Sequence, residues 1–143
     1  MNVDPQKITA DLRRDEGVVP HAYQDSLGFW TIGIGRLIDK DKGGRLSDDE
    51  INYLLANDIR THAKELEKAL PWIAQLSEVR QRALLNMAFQ LGVKGLLGFK
   101  NTLALIKAGK YAEAAENALK STWAQQTPER ARRIARMIEL GVG

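Results

Sequence analysis

The stretch Arg13–Gly35, RRDEGVVPHAYQDSLGFWTIGIG, decides how the rest of this 143-residue chain is read. It opens on the end of a helix and closes in a small sheet. Upstream, Asp4-Pro5 is a helix start, an N-cap acid followed by proline at the first helical position. Ile8 and Leu12 stand four apart on one face, the next position on that face is Glu16, and Gly17 ends the helix. The apolar stripe thus runs into an acid, so Glu16 is expected to point inward, or into a cleft, from the last turn. Downstream, AYQ (22–24) and FWTIGIG (29–35) have strand character, with DSLG as the turn between them. Counting by two puts Phe29, Thr31, Gly33 and Gly35 on one face and Trp30, Ile32 and Ile34 on the other. DKDKGG (39–44) makes a second turn, and the RL that follows it (45–46) is a candidate third strand. A sheet of this size does not stand alone.

Everything after it is helical in pattern. LSDDE holds a capping box, Ser47 answered by Glu50. Ile51, Leu54, Leu55, Ile59, Ala63, Leu66 and Leu70 then form one apolar stripe that stops near Pro71. Ser77 opens the next helix, with Val79, Leu84, Met87, Ala88 and Leu91 inside and Gly92 at its end. NTLALIKAG, KYAEAAENALK and TPERARRIARMIELG give three more; the last is capped by Thr127, begun by Pro128 and closed by Gly141. The expected fold is α+β, mainly α, in one domain over 1–143. Its parts are a sheet lobe at about 18–46, a connecting helix at about 47–70, and a helical lobe at about 71–143. The N-terminal helix 5–16 is too short to hold a core and is expected to pack on the later helices. A cleft between lobes is the natural ligand site.

Composition narrows the function classes. An apolar fraction of 44% is ordinary for a globular chain. The absence of cysteine excludes disulfides and thiolate metal sites, and His21 and His62 are too few for a metal cluster. A net charge of +3 and a pI near 9.3 favour an anionic partner without choosing between nucleic acid, membrane and wall polymer. The N-terminus lacks an apolar h-region and no stretch approaches a membrane span, so the chain is expected to be made in, and at first to stay in, a cytoplasm.

Glu16, Asp25 and Thr31 form the candidate constellation. Hydrolysis of a glycosidic bond needs one carboxyl that gives a proton and a second that stays ionised. Glu16 is expected where burial favours its protonated form. Asp25 lies on a polar turn where it stays charged, and the Thr31 hydroxyl can hold a water. Taken one at a time, these residues have plainer readings: a solvated helix-end acid, a turn former and a good strand residue.

The spacing of the three, followed at once by IGIG, resembles the phage-type lysozymes or endolysins of glycoside hydrolase family twenty-four. LLNMAFQLG (84–92), GFKNTL (98–103), AEAAENALKSTW (112–123) and QQTPERARRIA (125–135) each resemble a segment of that family in the same order. The resemblance implies a lysozyme-like fold and a muramidase that cleaves the β-1,4 bond between N-acetylmuramic acid and N-acetylglucosamine in peptidoglycan. It implies Glu16 as proton donor, Asp25 as second carboxylate and Thr31 as third member, with inversion at the anomeric carbon. No metal or cofactor is implied, and a monomer is expected. Leu37, Phe89, Gln90, Thr102 and Asn117 fall where the family lines its saccharide groove. Arg130 falls where an arginine approaches the catalytic glutamate, favouring its ionised form until substrate enters.

The chain departs from the family pattern at Arg36, which stands after GIG where histidine is common. Asp58 occupies the position that would pair with it, and an Arg36–Asp58 ion pair is expected. Location follows the family: host cytoplasm, then the wall after release by a separate membrane factor, or carriage on a particle. Three other classes stay open. A catalytically idle module would bind peptidoglycan or a partner protein without turnover. A nucleic-acid binder, suggested by RARRIAR, would show steep salt dependence. The last helix, basic on one side, could contact an anionic membrane.

Overall fold

The computed structural model describes residues 1–143 and divides into two compact units, Met1–Tyr53 and Leu54–Gly143. The first holds α1 (Pro5–Glu16), β1 (Val19–Gln24), β2 (Trp30–Gly33), β3 (Arg36–Leu37), a 3-10 turn (Lys40–Lys42) and the start of α2 (Asp48–Ala69). Asp4 caps α1 as its sequence implies, its carboxylate accepting from the Gln6 and Lys7 N–H groups at 2.9 and 3.3 Å. The strands run antiparallel in the order β1-β2-β3. β1 starts at Val19, earlier than AYQ suggests, and its register is irregular between Val19 and Tyr23. The third strand is Arg36–Leu37 and not Arg45-Leu46. Gly33 and Gly35, at φ 70° and 66°, let the chain reverse immediately after β2.

Alternation holds on β2, where Thr31 is buried and Trp30 exposed. None of the α1 residues is buried, and Ile8 and Leu12 are exposed. At α2 the capping box is complete. Ser47 N–H donates to Glu50 Oε1 at 3.0 Å and Glu50 N–H donates to Ser47 Oγ at 3.2 Å.

The second unit contains the rest of α2, a 3-10 turn (Pro71–Gln75), α3 (Glu78–Leu97), α4 (Lys100–Lys107), α5 (Tyr111–Leu119), α6 (Thr122–Gln126) and α7 (Pro128–Leu140). Gly92 interrupts α3 at φ 75° and ψ 157°, so the helix does end there before a further short stretch resumes. The core joins Leu66, Leu84, Met87, Leu96, Ile106 and Ile138. The α2 stripe enters it only at its C-terminal end. Leu66 and Leu70 are buried, while Ile51, Leu54, Leu55 and Ile59 are 41–48% exposed.

α6 has no apolar period of its own. It forms because Ser121 caps it, Oγ accepting from the Ala124 N–H at 3.2 Å, and because Trp123 and Ala124 are buried. Thr127 does not cap α7 through its side chain; its hydroxyl instead donates to the Trp123 carbonyl at 3.1 Å. At the other end of α7, Arg80 donates to the Ile138 and Glu139 carbonyls at 2.7 and 3.1 Å. Its guanidinium lies 3.5 Å from the centre of the Tyr111 ring.

Candidate active site

Within the first unit, Glu16 is the last residue of α1 and is exposed. Gly17, at φ 75°, ends α1 directly after it. The Glu16 carboxyl lies against Gly35 in the β2–β3 turn. A Cβ on Gly35 would stand 2.6 Å from Glu16 Oε2 and 2.9 Å from its carboxyl carbon. Glycine suits this position through its φ of 66°, and a Cβ there would displace the exposed end of the Glu16 side chain.

Asp25 and Thr31 are tied together by one residue, Phe29. Asp25 Oδ1 accepts from the Phe29 N–H at 2.8 Å and from the Leu27 N–H at 2.9 Å. The Phe29 carbonyl accepts from the Asp25 N–H at 2.9 Å and from the Thr31 hydroxyl at 3.0 Å. These bonds fix the carboxylate of Asp25 by one oxygen and leave Oδ2 without a protein donor. Thr31 sits on the central strand opposite Tyr23 and Leu37, 4% exposed, with its oxygen still able to accept. Leu37 is thus placed beside Thr31 by register.

Arg36 closes on Glu50, not on Asp58. The two guanidinium nitrogens lie 2.6 and 2.8 Å from the two carboxylate oxygens, and Nη2 also donates to the Arg45 carbonyl at 3.1 Å. Glu50 is nearer to β3 in sequence and already oriented by the capping box. The Arg36 guanidinium, followed by the Ser47 N–H, holds its carboxyl down at about 2 from an ordinary 4.5.

In the second unit, Arg130 has a firm partner in Asn86. Nε and Nη2 reach Asn86 Oδ1 at 2.9 and 2.8 Å, and Nη2 also donates to the Asn86 carbonyl at 3.1 Å. Asn86, Arg130 and Phe89 line a groove of about 530 Å³ together with Ile59, Ala63 and Leu85. Thr102 is buried and donates to Asn117 Oδ1 at 2.7 Å, which turns the Asn117 amide N–H groups outward. Gln90 Oε1 accepts from Trp123 Nε1 at 2.9 Å, which does the same for the Gln90 amide. Asn86 and Trp123 were not among the residues the sequence marks, although both stand inside the segments NMAFQLG and KSTW.

The profile of the family described as Phage lysozyme matches residues 13–136, most of the chain. The chain belongs to the phage lysozyme family. It is 35% identical to "Probable T4-type lysozyme 1" of Dictyostelium discoideum, over 91% of this chain and 92% of that protein. It is 33% identical to "Probable T4-type lysozyme 2" of the same organism, with the same coverage. It is also 32% identical to "Pre-baseplate central spike protein Gp5" of Enterobacteria phage T4, over 91% of this chain but 27% of the spike protein. As a phage lysozyme the chain is a peptidoglycan hydrolase of the glycosidase class, with a mainly α, lysozyme-like fold. No helix of this lysozyme is long and apolar enough to cross a membrane.

Proposed function

We propose that this phage lysozyme is a muramidase that cleaves the β-1,4 bond between N-acetylmuramic acid and N-acetylglucosamine. Glu16 delivers a proton to the leaving glycosidic oxygen, and Asp25 with Thr31 directs a water onto the anomeric carbon with inversion. The observation that carries this reading is the double use of Phe29. Its peptide holds a carboxylate with one free oxygen and a hydroxyl with free acceptor capacity in one fixed frame. A water polarised by an acid and a hydroxyl needs such a frame, since misplacement of the nucleophile forfeits most of the gain from proximity.

Leu37, Phe89, Gln90, Thr102 and Asn117 bind the saccharide in this reading. The outward amides of Gln90 and Asn117 suit the carbonyls of N-acetyl groups. Arg130 and Asn86 act as one unit beside Phe89. The biological role is wall lysis during phage release. Similarity to a protein named as a central spike favours a second route to the wall, carriage on a particle.

The test adds wild type and Glu16→Gln to purified peptidoglycan and follows turbidity and new reducing ends. Wild type should clear the suspension and release reducing sugar, and the variant should lose about two to four orders of magnitude in rate with its fold intact. Proton NMR of the fresh product should show the inverted anomer. A folded wild type that releases no reducing ends from several peptidoglycans overturns the proposal in favour of an idle, wall-binding module.

A further inference from the structure

His62 is one of only two histidines in the chain, and its imidazole is held in the second unit by two constraints. Its Nδ1 lies 2.9 Å from the Asp58 main-chain carbonyl, one turn earlier on α2. A carbonyl only accepts, so Nδ1 carries the hydrogen, and in the neutral ring Nε2 is a bare acceptor. The ring also lies against Phe89, with centroids 5.2 Å apart and planes 33° from parallel. No buried side-chain nitrogen or oxygen lacks a partner, and no protein group bonds Nε2, so that nitrogen faces solvent.

We infer that His62 is a saccharide-binding residue, its Nε2 accepting a hydrogen bond from a sugar hydroxyl or N-acetyl N–H seated beside Phe89. The inference rests on the reading of this chain as a muramidase, with Phe89 in contact with the glycan. A pyranose ring offers apolar C–H faces and a polar edge. Phe89, 40% exposed, supplies the apolar surface, and His62 adds an acceptor at its border. The acceptor is pre-organised. Its edge is fixed by Asp58 and its face by Phe89, so little rotamer freedom is left to lose on binding. The groove that Phe89 lines also holds the Arg130 guanidinium and the Glu67 and Glu78 carboxylates, and His62 places a neutral acceptor directly against the Phe89 ring.

The test has two arms on the full-length chain. In the first, kcat and KM are measured on soluble, uncrosslinked glycan strands for wild type, His62→Phe and His62→Gln. The phenylalanine keeps the stack on Phe89 but has no acceptor; the glutamine keeps an acceptor. His62→Phe should raise KM about three- to tenfold with kcat unchanged, the loss of one hydrogen bond, and His62→Gln should recover part of it. In the second, a tetrasaccharide of alternating N-acetylglucosamine and N-acetylmuramic acid is titrated into Glu16→Gln while the two imidazole resonances are followed. The His62 signal should move and the His21 signal, on β1, should serve as reference. An unmoved His62 signal at saturation, or an unchanged KM in His62→Phe, overturns the inference. If wild type releases no reducing ends but the tetrasaccharide still moves His62, the hydrolase reading falls and the binding inference stands.

Discussion

Gly35 illustrates how a single position sets the site. A methyl group there would meet Glu16 Oε2 at 2.6 Å and would hold an L-residue at a φ of 66°. Gly35→Ala is expected to cost about 1–2 kcal/mol of stability from the backbone alone. In the proposed mechanism Glu16 is the proton donor, and because its carboxyl must also move aside, kcat should fall by at least about tenfold. Thermal melts and reducing-end assays on the same preparation separate the two effects. Asp25 allows a cleaner separation. Asp25→Asn keeps an oxygen to accept from Leu27 and Phe29, so the turn and the melting temperature should be nearly unchanged while turnover collapses. Asp25→Ala should lose both. Near-wild-type turnover in Asp25→Asn would remove Asp25 from the chemistry. Glu16, Asp25 and Thr31, the proposed catalytic residues, are singled out in the sequence by type and spacing. Phe29 and Gly35 are not, because their contribution is a main-chain bond and an empty volume, and neither has a side-chain signature.

At the scale of elements, α2 carries the most consequential joint. Glu50 closes the capping box and pairs with Arg36, so one carboxylate ties the start of the helix to β3. Its depressed pKa gives the sign of a pH dependence. The folded form binds the proton less readily than the unfolded form, so the stabilisation is fully present above the ordinary value of 4.5. It is lost as pH falls toward about 2. The melting temperatures of wild type and Glu50→Gln should therefore differ at pH 7 and converge between pH 4.5 and 2. Parallel curves over that range would show that the pair does not contribute. Gly92 marks the other joint. At φ 75° and ψ 157° it occupies a region that is essentially closed to L-residues, with nothing within 4 Å of a would-be Cβ. Gly92→Ala should cost about 1–3 kcal/mol in denaturant melts through the backbone alone. The sequence marks Gly92 as a helix end, which it is, but α6 escapes notice because five residues held by a cap and a buried tryptophan have no periodicity to detect.

Taken as a whole molecule, the lysozyme concentrates its core on one side of its sequence. Every buried apolar side chain falls between Leu66 and Ile138, whereas in the first unit Thr31 is the buried residue. Stability follows burial, so the two units should open at different free energies. Native-state hydrogen exchange should give the β1–β3 amides much weaker protection than those of α3, α5 and α7. Leu84→Ala, at a fully buried position, should cost about 2–5 kcal/mol and lower protection throughout the second unit. Uniform protection across both units would contradict this division.

The sequence by itself determined what depends on neighbours along the chain. The Asp4 cap, the Ser47–Glu50 capping box, the turn at Asp25 and the helix ends at Gly92 and Gly141 are each set by interactions spanning a few residues, where the chain has little choice. Tertiary structure alone decided which distant groups meet. Arg36 chose Glu50 over Asp58, Arg130 took Asn86, Thr102 oriented Asn117, and the α2 stripe was buried only at its far end. A long side chain on a helix or strand can reach several partners at similar cost. The choice among them is made by where the backbones finally stand, and no local pattern carries that information.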